Sequence, residues 1–433
     1  MKENSKALNQ ILWEGADILR SKMDANDYKD YLLGFVFYKY LSDKLLMNAY
    51  RLWTDGVPET MAEAQEAYEE AIKEDGEEFK GELKETDRYL IDPDLTYTKL
   101  VEKANHGKFQ REDLQKAFNE VSNSDPLFAH LFDDVDLYSN RLGTGETKQS
   151  QIIMELLKRV NEANIMDYSG DVLGDAYEYM IGQFASETGK KAGEFYTPRA
   201  VSTILAQIVM QGQENVEGLT VYDPAMGSAS LLLTISKYSH KPGLMRYYGQ
   251  ELVASTYNLA RMNMFLHGVA PENQHLHNAD TLDADWPTDE VTDFHAVVMN
   301  PPYSQNWTAA KGFLSDPRFS DYGELPPKSK ADYAFLLHGL YHLKNSANGA
   351  NTMAIVLPHG VLFRGGKEGK IRQKLLEAGS IYAVIGLPSN LFYNTSIPTI
   401  IIVLKKTRPG DAEARVGRDV LFIDASQEFE RGK

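Results

Sequence analysis

Apolar residues recur every three to four positions through the first 160 residues of the chain, a spacing that predicts amphipathic helices. Between residues 31 and 46 this spacing places five apolar side chains on one side of a helix: Leu32, Phe35, Val36, Tyr40 and Leu41. The segment 152–160 repeats the pattern, and the acidic segment 58–84 is expected to form a helix with one solvated face. Because no strong strand pattern interrupts these segments, we expect residues 1–165 to form an all-helical N-terminal domain.

The pattern changes near Gly218, where short apolar runs begin to alternate with helical segments. The runs cover residues 219–222, 247–250, 294–299, 353–357 and 381–387. This alternation predicts βαβ units and a mostly parallel sheet. The last run is separated from residues 399–404 by about a dozen residues, too few for a helical crossover, which favours an antiparallel pair there. We therefore expect residues 166–433 to form an α/β domain.

Composition and charge narrow the possible functions. The 433 residues include no cysteine, which excludes disulfides, thiolate metal sites and cysteine nucleophiles. The chain carries 45 basic and 62 acidic residues, a net charge of −17, and a strongly acidic chain is a poor stand-alone binder of nucleic acid. The segment 58–94 alone holds 14 acidic and 4 basic residues, so the remainder is close to balanced and leaves room for a local DNA-facing surface. No apolar run is long enough to cross a membrane and the first twenty residues are too polar for a signal peptide, so we expect a cytoplasmic protein.

The first candidate for chemistry is a turn of small residues that follows the strand at 219–222 and precedes a helical segment. Small residues at a strand-to-helix turn let a ligand approach the backbone, and the helix start offers unpaired N–H groups. The candidate binding residues are Asp223, Ala225, Gly227, Ser228, Ala229 and Ser230. A tight turn with an aspartate at a helix start explains the same residues equally well.

Two carboxylates follow at the ends of later segments. Glu251 ends the strand at 247–250, about 20 residues beyond the small-residue turn, where a carboxylate can accept both hydroxyls of a ribose. Asp280 lies 29 residues further along, where it could accept a hydrogen bond from the exocyclic amine of a purine. Taken alone, Glu251 could be an ordinary solvent-facing glutamate and Asp280 a helix N-cap.

The fourth candidate follows the strand at 294–299 and consists of four consecutive residues: Asn300, Pro301, Pro302 and Tyr303. The two prolines stiffen an extended turn because neither can donate a backbone hydrogen bond. Asn300 offers an acceptor and a donor, the Pro301 carbonyl offers a second acceptor, and Tyr303 offers a flat face for stacking. The set suits a planar substrate that bears an amino group, and this interpretation is favoured over a rigid strand-end turn with a packed tyrosine.

The positions of these candidates favour one shared site. Asp223, Glu251, Asp280 and Asn300 each fall near the carboxyl end of an expected strand, 20–29 residues apart. In an open α/β sheet, ligands bind outside those strand ends. We therefore expect all four to meet at one edge of the sheet.

In this order, the segments DPAMGSA, GQE, NAD and NPPY resemble the motifs of S-adenosylmethionine-dependent amino-methyltransferases. The segment EFYTPR at 194–199 resembles the motif that precedes the cofactor turn in enzymes that methylate adenine N6. The N-terminal 8–45 and the later LPHGVLFRGGKEGKIR resemble the modification subunit of type I restriction–modification systems. Two positions depart from the family pattern, since Ala229 stands where many members have glycine and Met226 where a small residue is common.

The resemblance implies a Rossmann-like class I methyltransferase domain that binds S-adenosylmethionine and methylates N6 of a flipped DNA adenine. It implies that the methionine end of the cofactor is held by the segment Glu194, Phe195, Tyr196, Thr197, Pro198 and Arg199. Ala225–Ser230 would bind the cofactor, with Glu251 on its ribose and Asp280 on its adenine amine. It also implies that the C-terminal segment usual in such subunits is absent here.

The resemblance further implies partners. A specificity subunit would select the DNA sequence, two modification subunits would bind one specificity subunit, and a restriction subunit would add cleavage. The helical domain 1–165 is the candidate for protein and DNA contacts. Two alternatives remain open at this point: a protein glutamine N5-methyltransferase, which also uses NPPY, and a scaffold that keeps the fold without the activity.

Two further patterns are tempting. His338 and His342 are four residues apart, but the glutamate of a zinc-binding HExxH motif is missing, so we expect helix packing there and no metal site. The glycine-rich segment 365–370 lacks the spacing and the Ser/Thr of a phosphate-binding loop. We expect a mobile basic loop near DNA instead.

Overall fold

The computed structural model describes residues 2–164, 170–188, 196–283, 291–345, 349–392, 397–406 and 417–428. The chain divides into two compact units. The first contains residues 1–188 together with 265–268, and the second contains residues 189–264 and 269–433. Among the described residues, no helix is long and apolar enough to cross a membrane.

The first unit is helical, as the sequence predicts. Its helices are α1 (Lys2–Arg20), α2 (Ala25–Thr54), α3 (Met61–Asp87), α4 (Tyr97–Asn105), α5 (Arg111–Ser124), α6 (Glu146–Asn161) and α7 (Gly170–Glu187). Two of them begin at threonine caps: the hydroxyl of Thr60 accepts from the N–H of Glu63 at 3.2 Å, and that of Thr96 accepts from Lys99 at 3.3 Å. The unit includes α7, which the boundary expected at 165/166 assigns to the second domain, and that boundary remains a proposal.

The apolar stripe predicted for residues 31–46 lies on α2. Four of its five side chains are buried and the fifth, Tyr40, is half-buried. The acidic segment forms α3, which buries only a narrow face and leaves most of its glutamates exposed. Burial of one apolar stripe thus stabilises these helices, and the charged face stays in water.

The second unit is built on one eight-stranded sheet. Its strands are β1 (Thr220–Asp223), β2 (Arg246–Glu251), β3 (Gln274–Asn278), β4 (Ala296–Met299), β5 (Thr352–Pro358), β6 (Ile381–Gly386), β7 (Thr399–Leu404) and β8 (Leu421–Asp424). Its helices are α8 (Arg199–Met210), α9 (Ser230–Ser236), α10 (Ala254–Leu266), α11 (Asp332–Tyr341) and α12 (Gly366–Glu377).

The strand order is β3-β2-β1-β4-β5-β7-β6-β8. All neighbouring pairs are parallel except β5–β7 and β6–β7, which are antiparallel. The predicted antiparallel pair is therefore confirmed, because residues 381–386 pair with 400–404 in the reverse direction. Strands β1, β4, β5 and β7 are buried along their whole length, so apolar clusters cover both faces of the central sheet.

The segment 365–370 differs from expectation. The sequence predicts a mobile basic loop, but α12 begins at Gly366, so most of this segment is the first turn of a helix. Glu368 and Ile371 are buried and hold that turn against the unit. The expectation of a loop was wrong because none of the three glycines disrupts the helix: Gly365 precedes it, Gly366 with a φ of +63° starts it, and Gly369 lies within it.

Candidate active site

A cavity of about 750 Å³ opens at the edge where the parallel strands β1, β2 and β4 end. Its lining includes residues from all four candidate motifs: Ala225, Glu251, Asp280, Asn300, Pro302 and Tyr303. The sheet brings these residues together although the sequence separates them by up to 78 positions, from 225 to 303. The structure therefore brings residues of the four motifs together at one edge of the sheet, as the sequence predicts.

The turn after β1 is fixed by its own aspartate. The Oδ1 atom of buried Asp223 accepts a hydrogen bond from the N–H of Ala225 at 2.9 Å. Burial raises the pKa of Asp223 to about 8; the Ala225 bond opposes this rise and the nearby charge of Glu251 adds to it. Asp223 does not itself line the cavity, but its bond fixes the backbone of Ala225, which does.

Two residues of this turn adopt left-handed backbone conformations, Gly227 with a φ of +54° and Ala229 with a φ of +62°. Glycine adopts this conformation without steric cost, whereas the Cβ of an alanine does not favour it. Ala229 ends the turn, and α9 begins at the next residue. The turn thus keeps the shape that a glycine would favour, with an alanine in it.

The side chains of Met226 and Ala229 do not line the cavity. Both are buried in the apolar cluster on one face of the sheet. The Met226 sulfur lies over Gly249 of β2, in the space that a side chain at position 249 would fill. Met226 therefore packs in the apolar core and does not narrow the cavity.

Glu251 ties the end of β2 to this turn. Its Oε2 atom accepts from the N–H of Gly227 at 3.2 Å, and its Oε1 atom accepts from the N–H of Val253 at 2.8 Å. A carboxylate offers about four acceptor positions, so these backbone bonds orient the group while it can still accept hydroxyl donors. The carboxylate is half-buried at the cavity wall.

Asp280 lies on the loop after β3 and accepts from the N–H of Leu282 at 3.0 Å through Oδ1. This bond closes a local turn around Thr281. The neighbouring Thr281 hydroxyl donates to the carbonyl of Pro224 at 2.6 Å. The loop that carries Asp280 is thereby attached to the turn that carries Ala225.

Asn300 is held from both sides. Its Nδ2 atom donates to the hydroxyl of Thr197 at 3.2 Å, and its Oδ1 atom accepts from the hydroxyl of Tyr303 at 2.6 Å. Burial raises the pKa of the Tyr303 phenol, which therefore stays protonated and donates. The Tyr303 ring meets the buried ring of Phe392 edge-on, with centroids 6.1 Å apart.

The segment before α8 is only partly described. Glu194 and Phe195 lie outside the described residues. Thr197 contacts Asn300, Pro198 precedes the first turn of α8, and Arg199 begins that helix. Pro198 provides no side-chain cap for α8, and the N–H groups of Val201 and Ser202 donate to the carbonyl of Pro198 at 2.9 and 3.0 Å. Tyr196 is half-buried.

A buried polar chain beneath the cavity was not predicted. The guanidinium of Arg318 donates to Nδ1 of His338 at 3.2 Å, and Nε2 of His338 lies 2.7 Å from the hydroxyl of Tyr222. That hydroxyl donates to Oε1 of Gln250 at 2.6 Å. Burial lowers the pKa of His338 well below its ordinary value, with the charges of His342 and Arg318 adding to the effect, so the imidazole is neutral.

The hydrogen-bond directions in this chain follow from that protonation state. An arginine can only donate, so Nδ1 of His338 accepts and its Nε2 carries the proton. The chain then runs one way, from Arg318 through His338 and Tyr222 to Gln250. His342, four residues along, meets the carbonyl of Thr292 through Nδ1 at 2.7 Å. Both histidines are thus engaged in helix packing.

Two known protein families match this chain. Residues 168–433 match the family described as N-6 DNA Methylase, and residues 8–160 match the HsdM N-terminal domain. The chain belongs to the N-6 DNA methylase family. The sequence-based assignment to the modification subunits of type I restriction–modification systems is confirmed, and so is that of an adenine-specific DNA methyltransferase.

Relatives of this N-6 DNA methylase support the same assignment. The type I restriction enzyme MpnII methylase subunit of Mycoplasma pneumoniae is 37% identical over 100% of this chain and 81% of its own length. A crystal structure of the methyltransferase subunit of a type I restriction–modification system from Streptococcus thermophilus is 55% identical. The match to that structure has a TM-score of 0.94 and covers 99% of this chain and 89% of the other.

A structure with lower sequence identity supports the fold alone. A putative class I S-adenosylmethionine-dependent methyltransferase from Listeria monocytogenes superimposes with a TM-score of 0.53 at 16% identity, over 78% of this chain and 95% of the other. The expected class I methyltransferase fold behind a helical domain is therefore confirmed. Neither protein glutamine methylation nor a scaffold without activity is favoured by these comparisons.

Proposed function

We propose that this N-6 DNA methylase uses the described cavity to hold S-adenosylmethionine beside a flipped DNA adenine and transfers the methyl group to N6. The observation that carries the proposal is the meeting of four strand-end motifs around one cavity. A volume of about 750 Å³ is in the range of sites for small organic ligands.

The donor groups in the cavity fit the cofactor. The oriented carboxylate of Glu251 suits the two ribose hydroxyls, and Asp280 suits an exocyclic amine. In this proposal the turn from Ala225 to Ser230, of which Ala225 lines the cavity, binds the cofactor, and the segment that leads into α8 faces its methionine end. We assign binding of the methionine end of the cofactor to residues 194–199. When bound, S-adenosylmethionine supplies an electrophilic methyl group.

Asn300 and Pro301 would act on the substrate amine. The lone pair of an adenine amine is delocalised into the ring, which makes the nitrogen a weak nucleophile. Oδ1 of Asn300 and the Pro301 carbonyl would accept its two N–H bonds and favour a pyramidal nitrogen. Pro302 stiffens the backbone that holds both acceptors. Catalysis would then rest mainly on positioning and electrostatics.

The geometry adds a detail to this assignment. Tyr303 donates to the acceptor atom of Asn300, and Thr197 accepts from its amide nitrogen. The carbonyl oxygen has two lone pairs, so it can accept from Tyr303 and from a substrate amine together. The ring of Tyr303, which Phe392 supports edge-on, would stack on a base that has been flipped out of the duplex, as access to a stacked adenine requires.

We further propose the partners of the complex. A specificity subunit would select the DNA sequence, two modification subunits would bind each specificity subunit, and a restriction subunit would join for cleavage. The helical residues 1–165 are our candidate for protein and DNA contacts. Since the proposed substrate is DNA, we place the activity in the cytoplasm.

Cofactor binding provides the first test. Glu251→Ala removes a charged acceptor, and a hydrogen bond to a charged group contributes about 1.5–3 kcal/mol. Affinity for S-adenosylmethionine, measured by calorimetry, should fall by about one to two orders of magnitude. Glu272→Ala, on the loop before β3 and outside the cavity lining, is the matched control and should bind like wild type. An unchanged dissociation constant for Glu251→Ala would contradict the proposed pocket.

Substrate identity needs a second measurement. Radiolabelled methyl transfer is measured from S-adenosylmethionine to DNA and to protein, with the chain in complex with its specificity subunit. Label in DNA that mapping places on adenine supports the proposal. Label in protein alone would contradict it.

A further inference from the structure

Phe363 is an exposed aromatic side chain on an ordered turn that hydrogen bonds connect to the loop after Tyr303. Its side chain is 74% exposed, more than any other large hydrophobic side chain that the structure describes. It lies between the short helical turn His359–Leu362 and the start of α12 at Gly366. Removal of a phenyl ring from water is favourable, so a partner that covers Phe363 would gain binding free energy.

The backbone around Phe363 is held by several hydrogen bonds. The N–H groups of Phe363 and Arg364 donate to the carbonyl of Gly360 at 3.3 and 3.0 Å. Arg372 donates to the carbonyls of Val361 and Arg364, both at 3.0 Å. The ring is therefore presented by an ordered turn.

That turn is connected through one carboxylate to residues 300–304, the loop that carries Asn300 and Tyr303 and is called the catalytic loop below. The Arg364 guanidinium donates to Oδ2 of buried Asp332 at 2.5 Å, and Oδ1 of Asp332 accepts from the N–H of Ser304 at 2.8 Å. Ser304 directly follows Tyr303 and has a φ of +54°. Arg364 is braced further by Glu368, with N–O distances of 2.6 and 3.0 Å. Phe363 is therefore one residue away from a group that also positions the catalytic loop.

The segment around Phe363 is basic in an acidic chain. Residues 360–374 include five basic residues and one acidic residue, whereas the whole chain has a net charge of −17. Arg364 pairs with Asp332 and Glu368, and Lys370 pairs with Glu324 at 2.6 Å. The positive charge available to a partner therefore comes from Arg372 and Lys374, whose bonds to backbone carbonyls do not neutralise them, and from exposed Lys367. Charge of this sign matches the phosphates of a nucleic acid.

We propose that Phe363 is a wedge that enters the DNA duplex next to the target adenine, with the basic segment 360–374 on the flanking phosphates. Flipping a base costs unstacking and unpairing energy, and apolar side chains inserted between base steps recover part of that cost. An aromatic ring fixed next to the catalytic loop meets this need. The inference rests on the proposed function, because it assumes that a flipped adenine is the substrate.

The test uses the complex of this chain with its specificity subunit. Methylation is measured on two duplexes of the same sequence, one fully paired and one with the target adenine opposite an abasic site. Phe363→Ala should lower kcat/KM on the paired duplex by about tenfold to a hundredfold, given an unstacking cost of a few kcal/mol. On the duplex with the abasic site it should approach the wild-type rate. Phe363→Trp, which keeps a flat ring, should restore most of the rate on paired DNA.

A matched control is available in the same unit. Phe422 of β8 is 70% exposed, and Phe422→Ala should methylate both duplexes like wild type. With 2-aminopurine at the target position, wild type should show the fluorescence rise of an unstacked base, and Phe363→Ala should show a reduced rise. Calorimetry with S-adenosylmethionine should give the same affinity for Phe363→Ala as for wild type.

Two results would overturn the wedge assignment. The first is a Phe363→Ala complex that methylates paired DNA as fast as wild type. The second is a variant that binds the cofactor but no longer assembles with the specificity subunit, which would assign the ring to a subunit interface. A wild-type complex that methylates neither duplex would instead contradict the proposed function, so the two failures are distinguishable.

Discussion

Asn300 already has hydrogen-bond partners on both sides of its amide group, before any substrate is considered. Thr197 and Tyr303 hold the amide in place, with its oxygen on the side of Tyr303. Preorganisation of this kind is effective in catalysis because no reorientation is needed when the substrate arrives.

Asn300→Ala should therefore abolish most of the activity. Loss of one such group typically lowers the rate by about 10²–10³-fold. Tyr303→Phe keeps the ring but releases the Asn300 oxygen, so it should cause a smaller loss. Methylation kinetics on DNA measure the effect, and calorimetry should find S-adenosylmethionine affinity little changed in both variants. Wild-type rates for Asn300→Ala would show that the catalytic assignment is wrong.

Asp223 makes stability depend on pH. Its pKa is raised to about 8 in the folded protein, against an ordinary value of about 4 in an unfolded chain. The folded state therefore holds this proton more tightly than the unfolded state. The resulting contribution to stability is full below about pH 4 and is lost as pH rises toward 8.

Asp223→Asn should remove this dependence while its side-chain oxygen still accepts from the N–H of Ala225. The measurement is the melting temperature at several pH values between about 4 and 9. The melting temperature of the variant relative to that of wild type should rise steadily with pH across that range, and the difference should be largest at the alkaline end. Parallel curves for the two proteins would contradict burial of an ionisable carboxyl at this position.

Among helices and strands, the cofactor segments depend on one another. Thr281 lies after β3, yet its hydroxyl donates to Pro224 after β1 and lies 3.2 Å from Oε1 of Gln250 on β2. The buried chain from Arg318 orients that same glutamine oxygen. Three strand ends are thus held in register by side chains beneath the cavity.

Thr281→Val tests this connection because valine keeps the shape and removes the hydroxyl. A buried acceptor would be left unsatisfied, which costs about 1–3 kcal/mol. Affinity for S-adenosylmethionine should fall about fivefold to tenfold, with kcat for DNA methylation less affected than KM for the cofactor. Thr281→Ser retains the donor and should bind like wild type. Equal affinities in the valine and serine variants would exclude a role for the hydroxyl.

Pattern alone predicts the elements that bury a regular apolar face. The central strands follow from continuous apolar runs, and the antiparallel pair follows from the short connection before β7. Strand β3 has no apolar run and is expected only from the position of Asp280 after it, because its sequence QHLHN is polar and its place beside β2 at the sheet edge leaves it partly exposed. Strand β8 escapes for a similar reason, since all four of its residues are exposed at the other edge.

Some residues of the candidate site can likewise be predicted from the sequence, and others cannot. Residues at strand ends, such as Glu251 and Asn300, can be predicted because parallel strands place their carboxyl ends together. Arg318 and His338 cannot, because their role depends on tertiary contacts with Tyr222, which is 116 residues away from His338. The spacing of His338 and His342 on a helix, without the glutamate of HExxH, indicates packing but not the partners of His338.

For the whole molecule, charge determines what the chain can do alone. Residues 58–94 account for −10 of the net charge of −17, and helix α3 carries most of this charge with its glutamates exposed. Such a surface repels a phosphate backbone. The segment 360–374 is basic but short, so its phosphate contacts would be few.

The isolated chain should therefore bind S-adenosylmethionine but show no sequence preference on duplex DNA at about 0.15 M salt, since phosphate contacts supply most non-specific affinity and weaken steeply with salt. Sequence choice needs side chains that read base edges, and we expect them from the specificity subunit. Adding that subunit should produce tight binding and methylation at one sequence, measured by fluorescence anisotropy and by mapping of methylated adenines. A duplex with the target adenine replaced by guanine is the control and should gain no methyl group. Site-specific methylation by the purified chain alone would show that this chain reads the DNA sequence itself.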